Sequence, residues 1–325
     1  MTSVTSDPHA ITRRITAISL VAALIMVLMK AYALGASGSV SVLASLADSG
    51  FDMLGSLFTF FAVRMAAAAP DDKHRYGHGK IEGIAALVQS GIVLASAAFI
   101  GFQAFGRIIN PQPVTQGPQA IAVIAFTMAM TVWLVWMQSR AVKATGSLAV
   151  KGDRAHYTAD LAANAVVLIG LASGAILNAP GLDAIAGLIV AVWLTWGAIS
   201  LMRSSADHLL DASAPEEDRA KIVGLVLSDP NISNVHQLRA RLAGQVMMIQ
   251  MHVDLDPDLS LLAAHDIVAA AEKRIMDAYP LVDVIIHPDP RPRQLARPTD
   301  NDPQDLKAPR PPIDRSESSQ SGPWG

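Results

Sequence analysis

Six long apolar runs fill the first two thirds of the chain, and they constrain its fold more than any other feature. Each run has about 20 residues, which is the length that an α-helix needs to cross the hydrocarbon core of a bilayer. The runs cover residues 15–34, 40–63, 81–105, 120–137, 157–177 and 184–202. Because lipid cannot hydrogen-bond to exposed backbone, repeated runs of this kind predict a membrane all-α bundle of six transmembrane helices.

The first run follows Arg13 and Arg14, a pattern that also begins a secretory signal peptide. A signal peptide has an apolar core of only about 7–15 residues and is not followed by a series of further spans. We therefore expect the first run to stay in the protein as a membrane anchor.

The segments that join the runs alternate in charge. Residues 35–39, 110–118 and 178–182 contain no lysine or arginine. Basic residues gather in the other segments, namely Arg64, Lys73, Arg75, Lys80, Arg140, Lys143, Lys151, Arg154 and Arg203. Since lysine and arginine accumulate on the cytoplasmic side of membrane proteins, both termini are predicted to be cytoplasmic.

A soluble domain is predicted after the apolar runs. The expected order is an N-terminal tail (1–11), the transmembrane domain (12–205), a connector (206–213), the soluble domain (214–290) and a disordered proline-rich tail (291–325). Helical and strand patterns in the soluble domain follow the order α-β-β-α-β. Its second strand alternates strictly, with one apolar face formed by Met247, Ile249, Met251, Val253 and Leu255. This order predicts a small α+β sandwich.

The composition excludes several classes of function. The chain has no cysteine, so a bound metal would need histidine, aspartate, glutamate or backbone oxygen as its ligands. No basic stripe with interleaved aromatic residues is present, which argues against nucleic acid as a partner. The motifs G-x-x-x-x-G-K-[ST], H-E-x-x-H and G-x-S-x-G are absent, so neither nucleotide binding nor enzymatic catalysis is predicted.

Two carboxylates interrupt the second apolar run. Asp48 and Asp52 are spaced i, i+4, which places them about 6 Å apart on one face of a helix. A charged carboxylate in the middle of a bilayer costs about 2.5–3.5 kcal/mol even on the most lenient scale. Two like charges are therefore expected to bind a cation or protons. The structural alternative is that they face a polar bundle interior and pair with Lys30 or with water.

The fifth run carries a second pair with the same spacing, His156 and Asp160. If the second and fifth helices are neighbours, their faces bring three carboxylates and one imidazole together. Three oxygens and one nitrogen can complete a tetrahedral shell around Zn²⁺ and strip the ion of its water. The alternative is that His156 is a histidine near a helix end that hydrogen-bonds to backbone.

A polar loop at residues 70–80 joins the second and third runs. Asp71, His74 and His78 have helical spacing in this loop and are candidate ligands for another ion. The alternative is a solvated loop that serves topology, with Lys80 paired to an acidic residue such as Asp211.

The soluble domain contributes a further set of possible ligands. They are His236, His252, His265, His287 and Asp289. His252 lies on the polar face of the second strand, and His287 and Asp289 leave the end of the third. Each of these histidines alone could be an ordinary surface residue, but together, in a chain without cysteine, they predict a histidine- and aspartate-lined metal site.

Metal–proton exchange is consistent with these ligands. Histidine and carboxylate ligands release protons when a metal binds. Because the chain has no nucleotide-binding motif, ions moved uphill would depend on another gradient, for which protons are the natural coupling ion.

The combination of Asp48-x3-Asp52, His156-x3-Asp160, the loop histidines and the ending IIHPDP closely resembles the cation diffusion facilitator (CDF) family over about residues 12–290. It is most similar to the bacterial zinc and ferrous-iron efflux branch. The resemblance implies six transmembrane helices in the bacterial inner membrane, a metallochaperone-like cytoplasmic domain and a homodimer. It also implies that the protein exports divalent metal in exchange for protons by alternating access.

The resemblance also implies roles for the candidate ligands. Asp48, Asp52, His156 and Asp160 match the transport site, and the three loop residues match a second site. The five soluble-domain residues match a binuclear site that stabilises the dimer or senses metal. A histidine ligand favours Zn²⁺, Fe²⁺, Cd²⁺ or Co²⁺ over Mn²⁺. The open alternatives are the same carrier with Fe²⁺, Cd²⁺, Co²⁺ or Mn²⁺ as its main cargo, and a membrane-anchored metal sensor.

Overall fold

The computed structural model describes residues 8–37, 40–109, 118–172 and 182–291. It contains eight helices and three strands in these ranges. In chain order they are α1 (Pro8–Ser37), α2 (Val40–Ala66), α3 (Ile81–Ile109), α4 (Pro118–Thr145), α5 (Leu148–Ala172), α6 (Leu182–Leu209), α7 (Glu216–Leu227), β1 (Asn234–Ala243), β2 (Val246–Leu255), α8 (Leu261–Ala278) and β3 (Val282–Pro290). Most of the three uncharged links and nearly all of the predicted disordered tail lie outside the described residues.

The chain divides into two compact units. The first contains α1–α6 and ends at Ala214, and the tip of the β1–β2 hairpin (Arg241–Met248) is grouped with it. The second contains Pro215–Ala240 and the residues from Ile249 onward. Both predicted parts of the fold class, the helical membrane bundle and the small α+β domain, are confirmed.

Five helices among the described residues are long and apolar enough to cross a membrane: α1, α2, α3, α4 and α6. The remaining member of the bundle, α5, begins at Leu148, nine residues before the fifth apolar run. Its first turns carry Lys151, Asp153, Arg154 and His156, which lower its hydropathy without breaking its helical backbone. Helix α6 likewise continues to Leu209, beyond the sixth run and through half of the predicted connector. Hydropathy therefore located the apolar part of each helix and missed its polar ends.

Small side chains line the contact between α3 and α6. A Cβ added at Gly187 would lie 2.9 Å from the Cβ of Ala104, and one added at Gly101 would lie 3.4 Å from the Cβ of Ala191. Ala97 and Ala198, one or two turns along the same contact, are fully enclosed. In lipid, helices associate by close packing rather than by the hydrophobic effect, so small residues of this kind are what hold a helix pair together.

The soluble unit is built on a three-stranded sheet with the order β1-β2-β3. The predicted alternation of β2 is confirmed, because its five apolar residues from Met247 to Leu255 are all buried. The two helices of this unit also have buried residues, namely Ile222 and Val226 of α7 and Val268, Ala271 and Ile275 of α8. Ser260 caps α8 by accepting a hydrogen bond from the N–H of Ala263. The other face of the sheet is left free for polar side chains.

Candidate metal centres

A buried cluster of three potential ligands joins α2 and α5. The Nε2 atom of His156 lies 3.0 Å from Oδ1 of Asp52 and 3.6 Å from Oδ2 of Asp160. The exposed fractions of the three side chains are 11% for Asp52, 6% for His156 and 22% for Asp160. One ligand atom from each residue lies within 4.8 Å of the others, a separation that a single divalent ion can bridge.

Asp48 is the fourth residue predicted for this cluster, and it is not among the three that the structure brings together. It lies one helical turn before Asp52 and its side chain is exposed. Lys30, the alternative partner considered for the two aspartates, donates from Nζ to the carbonyl oxygen of Ser45 at 3.1 Å and to Oγ of Ser49 at 2.6 Å. The cluster therefore has three of its four predicted members in place.

Two buried atoms at the cluster have no hydrogen-bond partner within the described part of the chain. They are Nδ1 of His156 and Oδ2 of Asp160. A buried acceptor without a donor is costly, so the Asp160 oxygen favours a proton or a nearby cation, and Nε2 of His156 lies 3.6 Å from it. The His156 ring lies between two carboxylates, where it can hold a proton as imidazolium or give its Nε2 lone pair to a metal, but not both.

Another buried carboxylate, Asp153, lies in α5 outside the cluster, and the sequence did not lead us to expect it. Asp153 is only 1% exposed. Its Oδ2 accepts a 2.7 Å hydrogen bond from Nε2 of Gln138, and its Oδ1 accepts a 3.4 Å hydrogen bond from the hydroxyl of Ser56. The Gln138 amide also donates to Ser19 at 3.0 Å. One carboxylate thus connects α1, α2, α4 and α5.

The direction of one hydrogen bond in this network follows from proton counting. Ser56 and Tyr157 lie 2.6 Å apart through their hydroxyl oxygens. Ser56 has a single proton, and when it donates that proton to Asp153 the Tyr157 hydroxyl must donate to Ser56. This bond joins α2 and α5 one turn from Asp52 and next to His156, so it fixes the relative position of the two helices that carry the cluster. Asp153 could have been recognised from the sequence because it is a carboxylate within the predicted transmembrane domain.

The three loop residues form an exposed cluster. Oδ1 of Asp71 lies 3.2 Å from Nδ1 of His74, and Oδ2 of Asp71 lies 3.3 Å from Nε2 of His78. The backbone between α2 and α3 is not helical, so helical spacing was the wrong reason for expecting them to meet. The loop turns back on itself instead, with Gly77 at a φ of 79° and its N–H donating to the carbonyl of His74. The N–H of His74 is the largest cause holding the pKa of Asp71 below its ordinary value, and the N–H of Lys73 adds to it.

Asp211 pairs with two cations in the first unit. Its Oδ2 lies 2.6 Å from Arg241 and 2.9 Å from Lys80. The Arg241 hydrogen bond is the largest cause that lowers the pKa of Asp211. The pairing of Lys80 with Asp211, which the alternative reading of the loop expected, is thus present together with the clustered histidines. The loop therefore combines the clustered candidate ligands with the Lys80–Asp211 ion pair.

The soluble unit gathers four of its five predicted ligands on the polar face of the sheet. Nδ1 of His252 lies 2.8 Å from Oδ2 of Asp289, and Nε2 of His236 lies 3.4 Å from the same oxygen. Nε2 of His287 lies 3.3 Å from Oδ1 of Asp289. Strand order explains the arrangement, because β2 lies between β1 and β3 and residues spaced i, i+2 on a strand share one face. Asp289 is therefore the common partner of three histidines.

The fifth predicted residue, His265, is exposed on α8 and is not part of this group. The structure adds a different residue, Asp254, whose Oδ1 lies 3.2 Å from Nε2 of His236. Asp254 follows His252 by two residues on β2, so strand alternation was a signal that could have identified it. His236, His252 and Asp289 each offer an atom within 4.8 Å of the others. Two nitrogens and one oxygen are a ligand set that suits Zn²⁺ and its borderline neighbours.

Comparisons with known proteins cover both units. Residues 16–210 match the cation efflux transmembrane domain, and residues 214–291 match the cytoplasmic domain of cation efflux proteins. The cation-efflux pump FieF of Shewanella oneidensis is 38% identical over 275 residues, which are 84% of this chain and 92% of that pump. FieF of Cronobacter sakazakii is 35% identical over 283 residues, covering 86% of this chain and 93% of its own length.

Solved structures also match over a shorter region. A CzrB structure is matched at 23% identity and a TM-score of 0.24, covering 25% of this chain and all of that chain. The two domain matches together span most of the sequence and place a membrane bundle and a cytoplasmic module in the expected order. The chain belongs to the cation diffusion facilitator family and is a multi-pass membrane protein that acts as a cation efflux transporter.

Proposed function

We propose that this protein exports a divalent metal ion, with Zn²⁺ as its main cargo, from the cytoplasm in exchange for protons. The observation that carries the proposal is the buried cluster of Asp52, His156 and Asp160 between α2 and α5. A mixed nitrogen and oxygen set favours Zn²⁺, Fe²⁺, Cd²⁺ or Co²⁺ over the all-oxygen preference of Mn²⁺. Asp48, one turn away, is the proposed fourth ligand, which would complete a tetrahedral shell.

Proton exchange is proposed from the same atoms. His156 faces both carboxylates through a single nitrogen, so that nitrogen holds either a proton or a metal. Binding of the ion on one side of the membrane would release protons, and rebinding of protons on the other side would release the ion. Alternating access of this cluster to the two sides then couples the two flows. We propose that it operates in a bacterial inner membrane with both termini cytoplasmic.

The loop and the soluble unit are proposed as additional metal sites. Asp71 and His74 of the loop site are exposed, so we propose that this site exchanges metal with solution. His236, His252, His287 and Asp289 are proposed to bind structural or regulatory zinc in a homodimer. His265 lies apart from them on α8, so we propose that it acts as a ligand only when a second copy of the chain brings it to the cluster.

The test of the transport proposal is metal flux into proteoliposomes under an imposed pH gradient. Wild type is compared with Asp52→Ala across Zn²⁺, Fe²⁺, Cd²⁺, Co²⁺ and Mn²⁺. We expect Zn²⁺ uptake that depends on the gradient and is lost in the variant. Equal uptake by the two proteins would refute the assignment of the cluster, and wild-type flux that persists after the gradient is collapsed would refute proton exchange alone.

The same measurement separates the alternatives. A carrier whose main cargo is iron would show faster Fe²⁺ than Zn²⁺ flux in wild type, with the same dependence on Asp52. A membrane-anchored sensor would bind metal at the soluble cluster and show no flux of any ion. The buried intramembrane cluster favours transport over sensing, because an anchor gains nothing from ionisable groups that are costly to bury.

A further inference from the structure

The bundle carries a groove on the side of α5 opposite the buried cluster. It runs over α5 between α4 and α6 and has a volume of about 410 Å³. Lys151, Arg154 and Thr158 of α5 line it, whereas Asp153, His156 and Asp160 of the same helix belong to the buried networks described above. The groove is therefore separate from the candidate transport site.

The groove changes in character along the bundle axis. Lys151 and Arg154 lie about 5 Å and 9 Å from the start of α5, at the end of the bundle where α4 ends and α5 begins. Ser139 lies at a similar depth on α4, and its hydroxyl accepts a 3.4 Å hydrogen bond from Arg154. Deeper in the bundle the lining is apolar, with Val93, Val135 and Leu194. The groove is thus cationic at its end and hydrophobic further in.

Two tryptophans of α6 form one wall. Trp193 is 56% exposed and Trp196 is 79% exposed, so both rings are open to whatever surrounds the bundle. None of the residues that line the groove in the described part of the chain is acidic. The charge of Lys151 and Arg154 therefore has no carboxylate within the groove to balance it.

We propose that this groove binds an anionic phospholipid, with its phosphate at Lys151 and Arg154 and an acyl chain along the apolar floor. A groove that is cationic near the end of a bundle and apolar toward its middle matches the amphipathic shape of such a lipid. Basic pockets between transmembrane helices select anionic headgroups. A free phosphate ion would use the two cations alone and leave the apolar floor unfilled.

The site has a consequence for the protein as a whole. The phosphate would contact the first turns of α5, while Ser139 connects the same place to α4. The lipid would thus hold together three helices, α4, α5 and α6, on the membrane-facing side of the bundle. This inference depends on the membrane location of the chain and not on which ion it carries, so it stands or falls separately from the proposed function.

The experiment uses tryptophan fluorescence in vesicles. The full-length protein carries Trp133→Phe, Trp136→Phe and Trp324→Phe, which leaves Trp193 and Trp196 as the emitters. It is reconstituted in phosphatidylcholine that contains a minor share of either brominated phosphatidylglycerol or brominated phosphatidylcholine. We expect stronger quenching by the brominated anionic lipid at equal content. The Lys151→Gln/Arg154→Gln pair should weaken this preference by roughly fivefold for each charge removed.

The matched control is the Arg140→Gln/Lys143→Gln pair, which removes two charges near the same end of the bundle but outside the groove lining. It should leave the preference intact. Equal quenching by the two brominated lipids would overturn the proposal, and so would an equal loss in both variant pairs. Competition by inorganic phosphate would overturn the lipid assignment, and absence of quenching by either lipid would show that another protein chain covers the groove.

Discussion

The membrane cluster and the soluble-domain cluster use the same two side-chain types in opposite settings. In the membrane, Asp52, His156 and Asp160 come from two helices at i, i+4 spacing and are at most 22% exposed. In the soluble unit, the histidines around Asp289 come from three strands, and the side-chain exposure of His287 reaches 61%. Similar ligands can therefore serve an enclosed site and an open one.

The difference shows that burial determines whether each cluster can remain without a bound ion. An enclosed carboxylate without a counter-ion is costly, so the membrane cluster favours a bound proton or metal, as the proposed exchange requires. The open cluster can be empty at little cost, because water solvates its ionised groups. It is suited to reporting how much metal the surrounding solution contains. The predictions below test this contrast, beginning with the largest expected effect.

Replacing a buried ligand should stop transport. In Asp160→Asn, the shape of the side chain is retained and its charge is lost, so Zn²⁺ flux into proteoliposomes should fall by about a hundredfold or more. Asp207→Asn, which changes an exposed carboxylate near the end of α6, is the matched control and should transport normally. Comparable flux in Asp160→Asn and the control would contradict the assignment of transport to the enclosed membrane cluster.

Removing the buried carboxylate of Asp153 should destabilise the bundle. Asp153→Ala leaves Gln138 and Ser56 without their acceptor, which costs about 2–4 kcal/mol of unfolding free energy. Thermal unfolding in detergent should show a clearly lower Tm than wild type and than Asp207→Ala. Asp153→Asn should lie between them, since its amide oxygen can still accept one of the two hydrogen bonds. An unchanged Tm for Asp153→Ala would mean that water replaces the lost acceptor.

Removing the shared carboxylate of the soluble cluster should weaken zinc binding and leave transport largely intact. Asp289→Asn should lower zinc affinity at this site by about 10–100-fold, measured by calorimetry on the full chain in detergent. Asp283→Asn is the matched control, because it changes an exposed carboxylate on the same strand and face. Loss of flux equal to that of Asp160→Asn would show that the two clusters are one functional site.

The smallest expected effect concerns pH and the scaffold beneath the open cluster. The N–H of Asn231 is the largest cause that lowers the pKa of Asp229, and Arg274 of α8 adds to it. A lowered folded-state pKa contributes stability above the ordinary aspartate pKa of about 3.9, and this contribution is lost as the pH falls through the folded value. Asp229→Asn should therefore lower stability by about 1 kcal/mol at neutral pH.

The unfolding midpoints of wild type and Asp229→Asn should converge as the pH falls below that of ordinary aspartate titration. The other carboxylates and the histidines titrate in both proteins, so their contributions cancel in the difference. A difference in Tm that stays constant down to low pH would show that the charge of Asp229 is not what matters.

The sequence identified candidate ligands, but it could not show which of them the fold brings together. The alternation of β2 identified its buried face, and the same parity placed His252 among the ligands. Asp254 has that parity as well, so strand alternation could have placed it beside His252. Spacing of i, i+4 placed Asp48 and Asp52 on one face of α2. It could not show that only Asp52 of the two lies in the cluster with His156 and Asp160.

The polar ends of helices and the contacts between distant segments could not be predicted from the sequence, for physical reasons. Hydropathy identifies segments that are apolar enough for lipid, so it did not identify the polar first turns of α5. Asp153 in these turns is buried and accepts hydrogen bonds from Gln138 and Ser56 of other helices. The pairing of Asp211 with Lys80 was named as an option, but Arg241 as a further partner depends on the fold of the hairpin. Contacts between distant segments depend on packing that no local pattern encodes.

The contact between α3 and α6 has a mechanical consequence. Gly187, Ala104, Ala97 and Ala198 have no side-chain rotamers, so displacing one helix along the other would carry no rotamer entropy cost at these four positions. Larger interlocked side chains would have to unlock together before such a displacement. At its small residues, this contact is therefore of the kind that tolerates small shear displacements of one packed helix against another.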